Sequence, residues 1–273
     1  MSIKKIIISG LALTFSAVMA FSMTACGNDG VSAPGMGGSG SNSNGSSANS
    51  DGGQQSVATN GLIVGADGNM SYYVNGELQK NGIVGSDVDG YFYADQNGVI
   101  NKNYCDGVTV NGVNWCVIEG KATKATADDD PLFGACKDIG KCTNTTMDRA
   151  QKLRASFDYL KEAYLEGVRH DPPYYEMDWP IMYANDLFIY GKGDCFSYGA
   201  AFAYYGKAIG YEESYACNSG GHGWAEIDGL FHDPEWDMHH QEYNHFGVAP
   251  TDPNDVDYSG GISPGEPYMQ VKV

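Results

Sequence analysis

The stretch from Gly193 to Trp236 constrains this chain most, because three short motifs within it place a thiol, an imidazole and a carboxylate in order. The motifs are Gly193-Asp194-Cys195, His222-Gly223-Trp224 and Asp233-Pro234-Glu235-Trp236. Cys195 precedes His222 by 27 residues, and His222 precedes Asp233 by 11 residues. A thiol nucleophile needs a base beside it and a third group that orients the base. We therefore expect a fold that brings Cys195, His222 and Asp233 together.

A helix is predicted to begin at Cys195. Apolar residues then recur at the steps of three and four that mark one face of a helix: Tyr198, Ala201, Phe202, Tyr205 and Ile209. Gly210 is a typical C-terminal cap, and we expect Asp194 to cap the N-terminus. Cys195 would then lie in the first turn, where the unpaired N–H groups and the helix dipole favour a thiolate. Its own backbone N–H can also donate to an oxyanion.

Short strands are predicted after this helix, over residues 213–217, 223–227 and 230–233. Asp228-Gly229 is a hairpin turn signal between the last two strands. A hairpin centred on that turn places His222 opposite residues 233–235. We therefore expect the carboxylate of Asp233 to accept a hydrogen bond from the Nδ1–H group of His222.

Two helices are predicted before Cys195. Thr145, with Asp148 three residues later, has the spacing of a capping box, and apolar spacing continues the helix to about Gly167. A second, short helix is expected over residues 181–189.

The three motifs, in this order, resemble those of the transglutaminase-like family over roughly residues 145–250. The resemblance implies an α+β fold with a papain-like transglutaminase core. It also implies that Cys195 is the nucleophile, His222 the base and Asp233 the orienting carboxylate. Gly223 stands where the family more often has Ala. A thiol mechanism of this kind needs no cofactor, so none is expected. Three residues are candidates for a side-chain oxyanion donor: Tyr175, Trp179 and Tyr190.

The implied function is attack by Cys195 on a peptide or side-chain amide, with a thioester intermediate. Water would resolve the thioester in a protease or amidase, and an amine would resolve it in protein-glutamine acyl transfer; hydrolysis is marginally favoured. An alternative is a non-catalytic lipoprotein that binds cell wall or host surface on the same fold. A third hypothesis is a crosslinking adhesin without turnover.

A repeat of 22 residues precedes this region, between residues 61 and 126. Its turn signals end in Gly68, Gly90 and Gly112, and Tyr or Trp residues follow each of them. We predict three β-hairpins stacked side by side. The pattern resembles the choline- or glucan-binding hairpin repeats of Gram-positive surface proteins. The resemblance implies cell-wall glycan as a partner, whereas stacking alone also explains the aromatic residues.

The N-terminal segment resembles a secreted lipoprotein leader. Lys4 and Lys5 precede an apolar run that ends at Met23, as in a signal peptide over residues 1–25. Met23-Thr24-Ala25-Cys26 resembles a bacterial lipobox, which implies lipidation of Cys26 and a membrane anchor on the extracellular face. Residues 26–60 are rich in Gly, Ser and Asn and are predicted to form a flexible linker.

The seven cysteines are compatible with an oxidising compartment. Lipidation of Cys26 and catalysis by Cys195 leave five. Two local disulfides are reasonable guesses from position, Cys105–Cys116 across a hairpin and Cys136–Cys142 around a small loop. None of the spacings resembles a paired zinc motif.

The net charge argues against nucleic-acid binding, and the spacing of the histidines argues against a zinc site. The net charge is −18, and it becomes −20 when a leader with Lys4 and Lys5 is removed, so the chain lacks the basic surface that nucleic acid requires. A zinc site would have to be built from irregularly spaced residues in a predicted loop, so we expect a solvated surface and no metal there. Those residues are His232, His239, His240, His245, Asp237 and Glu242.

The repeat and the motifs together predict two domains, a hairpin repeat domain (61–126) and a transglutaminase-like domain (127–273).

Overall fold

The computed structural model describes residues 60–66, 68–127, 129–173, 176–250 and 268–273. The predicted signal peptide, the lipidation site at Cys26, the linker up to residue 59 and the candidate Tyr175 lie outside the described residues. Within the described ranges, every helix is too short or too polar to cross a membrane.

The first part of the described chain is made of eight short strands. They are β1 (Gly61–Val64), β2 (Met70–Val74), β3 (Glu77–Gln79), β4 (Gly82–Ser86), β5 (Gly90–Ala94), β6 (Asp106–Val110), β7 (Val113–Ile118) and β8 (Lys121–Lys124). An antiparallel hairpin lies at each of the three predicted turns, joining β1 to β2, β4 to β5 and β6 to β7. Asn111 and Gly112 both have positive φ, 52° and 76°, as a two-residue hairpin turn requires.

We predicted that the hairpins stack side by side, but their arrangement differs from this prediction. The first forms a sheet of its own in the order β1-β2-β3, while the others share a five-stranded sheet in the order β4-β5-β8-β7-β6. Strand β8 lies between β5 and β7 and pairs with both. The sequence pattern identified the local turns, but this insertion depends on pairing between strands that are far apart in the chain.

Helices and two very short strands follow. They are α1 (Pro131–Cys142), α2 (Arg149–Ala163), β9 (Leu165–Glu166), α3 (Trp179–Phe188), β10 (Lys192–Gly193) and α4 (Cys195–Ile209). The predicted boundary between residues 126 and 127 falls between β8 and α1. Helix α4 has the predicted start and ends at Gly210, whose φ is 105°.

One helix prediction was wrong at both ends of the helix, and one helix was missed. Helix α2 begins after Asp148 rather than at Thr145, because Asp148 is the N-cap and forms a capping box with Gln151. It ends at Ala163, not near Gly167, since residues 165–166 pair with β10. Helix α1 was not predicted, although Asp130 caps it and Pro131 occupies its first turn.

The C-terminal part forms an antiparallel sheet against α4. Its elements are β11 (Ser214–Asn218), β12 (Gly223–Ile227), β13 (Leu230–His232), α5 (Pro234–His239), β14 (Phe246–Val248) and β15 (Met269–Lys272). The strands lie in the order β14-β13-β12-β11-β15. Residues 195–209 are almost all buried, so α4 is the central helix of the core. Segregated helices and antiparallel sheets make this an α+β fold.

Neither predicted disulfide is present, and the described residues contain no disulfide at all. In the β6–β7 register the partner of Cys116 is Gly107, so Cys105 is not its cross-strand neighbour. Cys136 and Cys142 belong to one helix and are six residues apart. At 1.5 Å per residue their separation of about 9 Å exceeds the reach of a disulfide.

Candidate active site

Cys195 is the first residue of α4 and is partly exposed. As predicted, Asp194 caps the helix, and its Oδ1 atom accepts a hydrogen bond from the backbone N–H of Ser197 at 3.2 Å. Burial raises the pKa of Asp194, with the nearby charge of Asp186 acting in the same direction. The cap fixes the backbone immediately before the thiol, so the position of the Cys195 Sγ atom depends on a short, well-defined turn.

His222 and Asp233 meet across the β12–β13 hairpin. In its register Ala225 pairs with His232, and the continuation of that register brings His222 next to the residues after β13. The Nε2 atom of His222 forms a hydrogen bond with Oδ2 of Asp233. Both residues are buried, with 3% of His222 and 1% of Asp233 exposed.

The orientation of the His222 ring differs from the prediction. We expected Nδ1 to face Asp233, whereas Nε2 does so. The Cys195 side chain is close enough to the ring to raise the pKa of His222. Because Nε2 already faces Asp233, Nδ1 is the nitrogen left for the thiol. Residue spacing predicts that the side chains meet, but it does not predict which ring nitrogen faces each partner.

The pKa of His222 is well above its ordinary value. Burial opposes the charged ring, but the negative charge of Asp233, the hydrogen bond to Asp233 and the neighbouring Cys195 outweigh it. Because its protonated form is stabilised in this way, the ring can hold the proton that leaves the thiol and later release it to a leaving group.

Asp233 has a second role that the sequence analysis missed. Its Oδ1 atom accepts a hydrogen bond from the backbone N–H of Trp236 at 2.9 Å, so Asp233 is also the N-cap of α5. The signal was present as Asp233-Pro234, an N-cap followed by proline in the first turn. The helix therefore holds the carboxylate that orients His222.

Two glycines allow α4 and β12 to approach closely. A Cβ atom on Gly223 would lie 2.7 Å from Cα of Phe196, the residue after Cys195. A Cβ atom on Gly199 would lie 2.6 Å from the backbone nitrogen of Trp224. Both distances are shorter than real Cβ contacts. A side chain at either position would push α4 and β12 apart, close to both Cys195 and His222.

Trp224 and Trp236 lie on either side of His222. Their ring centroids are 6.2 and 5.2 Å from the imidazole centroid. Trp224 is 1% exposed and packs on Phe231 and Tyr268, as expected for a core residue. The two indoles shield the imidazole from water.

A buried polar network lies beneath the N-terminus of α4. Asp186 accepts hydrogen bonds from Arg169 Nε at 2.8 Å and Ser197 Oγ at 3.2 Å, and its Oδ1 atom lies 3.0 Å from His170 Nε2. Ser197 also contacts Asp194. Sequence analysis missed this network, since its members are far apart in the chain and share no motif.

A cleft of about 470 Å³ lies along α3. Arg169, Ile181 and Tyr190 line it together with Trp179. Of the predicted oxyanion candidates, Tyr190 is exposed and lies under the Arg169 guanidinium. Trp179 is buried and packs on Phe196, at 6.2 Å between centroids, so it links the cleft to the start of α4.

The histidine-rich segment does not assemble into the zinc site considered from the sequence. His232 is buried and accepts a hydrogen bond from the backbone N–H of Gly247. Burial lowers its pKa to about 3. A different set brings its ligand atoms within 4.8 Å of one another, namely Glu166, Glu235 and His239. An ion pair of 2.6 Å between His239 and Glu166 already accounts for that cluster.

Two aromatic residues of the five-stranded hairpin sheet contact each other and a lysine of the same sheet. Tyr91 and Trp115 lie 5.1 Å apart between ring centroids. The ammonium of Lys124 lies 5.9 Å from the first ring centroid and 5.4 Å from the second. A quaternary ammonium ligand would seek this same environment.

Comparison with known proteins adds no relative. None of the protein-family models, curated proteins or solved structures matches this chain.

Proposed function

We propose that this protein is a thiol enzyme that acts on peptide or side-chain amide bonds through Cys195, His222 and Asp233. One observation carries the proposal: the His222 ring is hydrogen-bonded to the Asp233 carboxylate and has the Cys195 side chain close enough to raise its pKa. The first two residues are buried, whereas the thiol is partly exposed at a helix N-terminus. A nucleophile needs access to its substrate, while its base needs a fixed orientation.

The reaction follows from these positions. Nδ1 of His222 takes the proton of the Cys195 thiol, and the thiolate attacks the amide carbonyl carbon. The backbone N–H of Cys195 donates to the oxyanion of the tetrahedral intermediate. His222 then protonates the leaving amine, and a thioester remains on Cys195. Water or a second amine attacks the thioester, again with His222 as the base.

Asp233 and the two indoles support this chemistry without touching the substrate. The carboxylate stabilises the imidazolium that forms when the thiol loses its proton. Trp224 and Trp236 exclude water from the ring faces, which strengthens the electrostatic interaction between His222 and Asp233. Trp179, beside Phe196, is a candidate for a second oxyanion donor, because its indole nitrogen has no hydrogen-bond partner among the described residues; the indole nitrogens of Trp224 and Trp236 share this property.

The proposal extends to the family and the location. A transglutaminase-like, papain-like core is supported by a nucleophile at the start of a central helix and a base and carboxylate on adjacent antiparallel strands. The leader and Cys26 support a lipid-anchored protein on the extracellular face of a bacterial membrane. Its substrates would be proteins or peptides. Hydrolysis is the direction we favour over transfer to an amine.

Alkylation of Cys195 by iodoacetamide tests the site directly. Rates are measured by peptide mass from about pH 5 to about pH 9 for the native chain and for His222→Ala. We expect Cys195 to react readily near pH 6 and to slow sharply in the variant. If the alkylation rate of Cys195 had the pH dependence of an ordinary free thiol and were the same in His222→Ala, the three residues would not form a site.

Turnover tests the reaction class. Glutaminyl peptides and casein are supplied with and without a primary amine, and released ammonia, new peptide termini and incorporated amine are measured. Cys195→Ala should abolish every product, whereas Cys142→Ala, which changes a partly buried cysteine at the end of α1, serves as the matched control. Products that persist in Cys195→Ala would exclude the thiol mechanism.

A further inference from the structure

Three cysteines lie in one part of the core, away from the candidate active site. Cys105, Cys116 and Cys136 are 4%, 2% and 0% exposed and belong to the same apolar cluster. Cys116 is on β7, Cys136 is on α1, and Cys105 directly precedes β6. The proposed reaction uses none of them.

The register of β6 and β7 aims Cys116 at α1. Its cross-strand partner is Gly107, and partners in a register point to the same face of a sheet. A Cβ atom on Gly107 would lie 2.8 Å from the backbone nitrogen of Lys137 and 3.0 Å from the carbonyl oxygen of Phe133. The backbone of α1 therefore crosses the sheet at this point, on the side that Cys116 faces.

Cys136 lies on the same stretch of α1, between Phe133 and Lys137. Cys116 is close enough to this side chain to raise the pKa of Cys136. Cys105 has other partners, because its sulfur accepts from the backbone N–H of Glu119 at 3.4 Å and from Lys152 Nζ at 3.7 Å. Of the three possible pairs among these residues, the strand register and the position on α1 favour Cys116 with Cys136.

We propose that Cys116 and Cys136 form a disulfide that ties β7 to α1. The two S–H bonds break and one S–S bond forms. Two electrons and two protons pass to an oxidant of the disulfide class, such as glutathione disulfide or a thiol oxidoreductase, which is reduced to its thiols. This pairing replaces both pairs expected from the sequence.

The burial of the pair defines when the bond forms. Burial, together with the neighbouring Cys116, raises the pKa of Cys136 well above its ordinary value, so in the folded, reduced protein this thiol stays protonated and unreactive. Oxidation therefore occurs during folding, before α1 closes over the sheet. A protein folded under reducing conditions keeps both thiols and resists later oxidation.

Peptide mapping after oxidative folding tests the pairing. The full chain is unfolded in guanidinium chloride with dithiothreitol, refolded in a glutathione redox buffer or in dithiothreitol alone, and alkylated. Trypsin combined with a protease that cleaves before aspartate separates Cys105 from Cys116, because Asp106 lies between them. We expect residues 106–121 to be linked to residues 130–137 only after oxidative folding, with a mass about 2 Da below the sum of the reduced peptides.

Stability gives an independent readout. The oxidised protein should melt roughly 5–10 °C above the reduced protein, because the bond closes a loop within the chain. Cys116→Ala and Cys136→Ala should lose this dependence on reductant, whereas Cys105→Ala, which removes an equally buried thiol, should retain it. Cys195 should remain open to alkylation in both forms, so this test is separate from that of the proposed activity.

Three results would overturn the proposal. A Cys105–Cys116 or Cys136–Cys142 link would show that the chain has another pairing. Recovery of Cys116 and Cys136 as alkylated thiols from the oxidatively folded protein would show that the contact is never oxidised. Because the map is made on the unmodified chain, either answer is obtained even if an alanine variant fails to fold.

Discussion

His222 presents Nε2 to Asp233, and Asp233 uses its other oxygen to cap α5 through the backbone N–H of Trp236. A single buried carboxylate therefore holds both the base and the helix that follows it. The ring cannot rotate without breaking a hydrogen bond inside the core. This arrangement leaves Nδ1 available to the thiol of Cys195.

Asp233→Asn should lower turnover by roughly 10³- to 10⁴-fold and should slow thiol alkylation near pH 6, because the amide no longer stabilises the imidazolium. The side-chain oxygen of asparagine can still cap α5, so thermal stability should fall only modestly. Asp233→Ala should lose about 1 kcal/mol more, since the cap is also removed. Kinetics and thermal melts of both variants measure the two roles. Equal activity in Asp233→Asn and the native chain would exclude Asp233 as the orienting group.

Gly223→Ala should destabilise the fold by about 1–3 kcal/mol and slow the alkylation of Cys195, because the new methyl group would push the start of α4 away from β12. Gly221→Ala is the matched control, since a Cβ atom there meets nothing within 4 Å. The control should keep the native melting temperature and reactivity. If both variants behaved alike, the close approach of helix and strand would have no part in positioning the thiol.

Asp186→Asn should cost about 3 kcal/mol, because Arg169 loses its partner and the amide cannot accept from every donor around it. We also expect slower alkylation of Cys195, since Ser197 joins Asp186 to the cap of α4. Glu213→Gln makes the same change in the exposed pair with Lys272 and should leave the melting temperature unchanged. An equal effect of the two substitutions would contradict a buried network.

His232→Asn should change the pH dependence of stability. Burial lowers the pKa of His232 to about 3, so the folded state keeps the ring neutral while the unfolded state is protonated below about 6.5. The contribution is fully present above pH 6.5 and is lost as the pH falls toward 3, by up to about 1.4 kcal/mol per pH unit.

Denaturant unfolding at several pH values between about 4.5 and 7 measures this slope. The asparagine oxygen can accept from Gly247, so the variant should fold and show a shallower slope than the native chain. His240→Asn, at a more exposed position, should keep the native slope. A slope unaffected by His232→Asn would mean that the ring titrates in the folded state.

Much of the candidate site could be predicted because its signals are local. The start of α4, its cap at Asp194 and the β12–β13 hairpin all follow from neighbouring residues. The hairpin turn fixes a register, and that register brings His222 to Asp233. The ring orientation could not be predicted, since it depends on the exact backbone distance between α4 and β12.

The missed elements depend on tertiary packing. Helix α1 contains Gly134 and Gly140, which lower helix propensity. A Cβ atom on Gly134 would lie 2.7 Å from the ring of Phe188, and one on Gly140 would lie 2.1 Å from Asp106 Oδ1. The glycines therefore serve contacts with distant segments. The contact between Cys116 and Cys136 was missed for the same reason, because it requires α1 to lie across β6 and β7.

Lys124 places an ammonium group of the chain itself beside two aromatic rings of the hairpin sheet. Its ammonium, above Tyr91 and Trp115, is held by a covalent link and so competes at a high effective concentration. A free cation such as choline would have to displace it before reaching the two rings. Residue 124 thus acts as a tethered competitor, and an uncharged residue in its place would leave the two rings without the ammonium group that lies beside them.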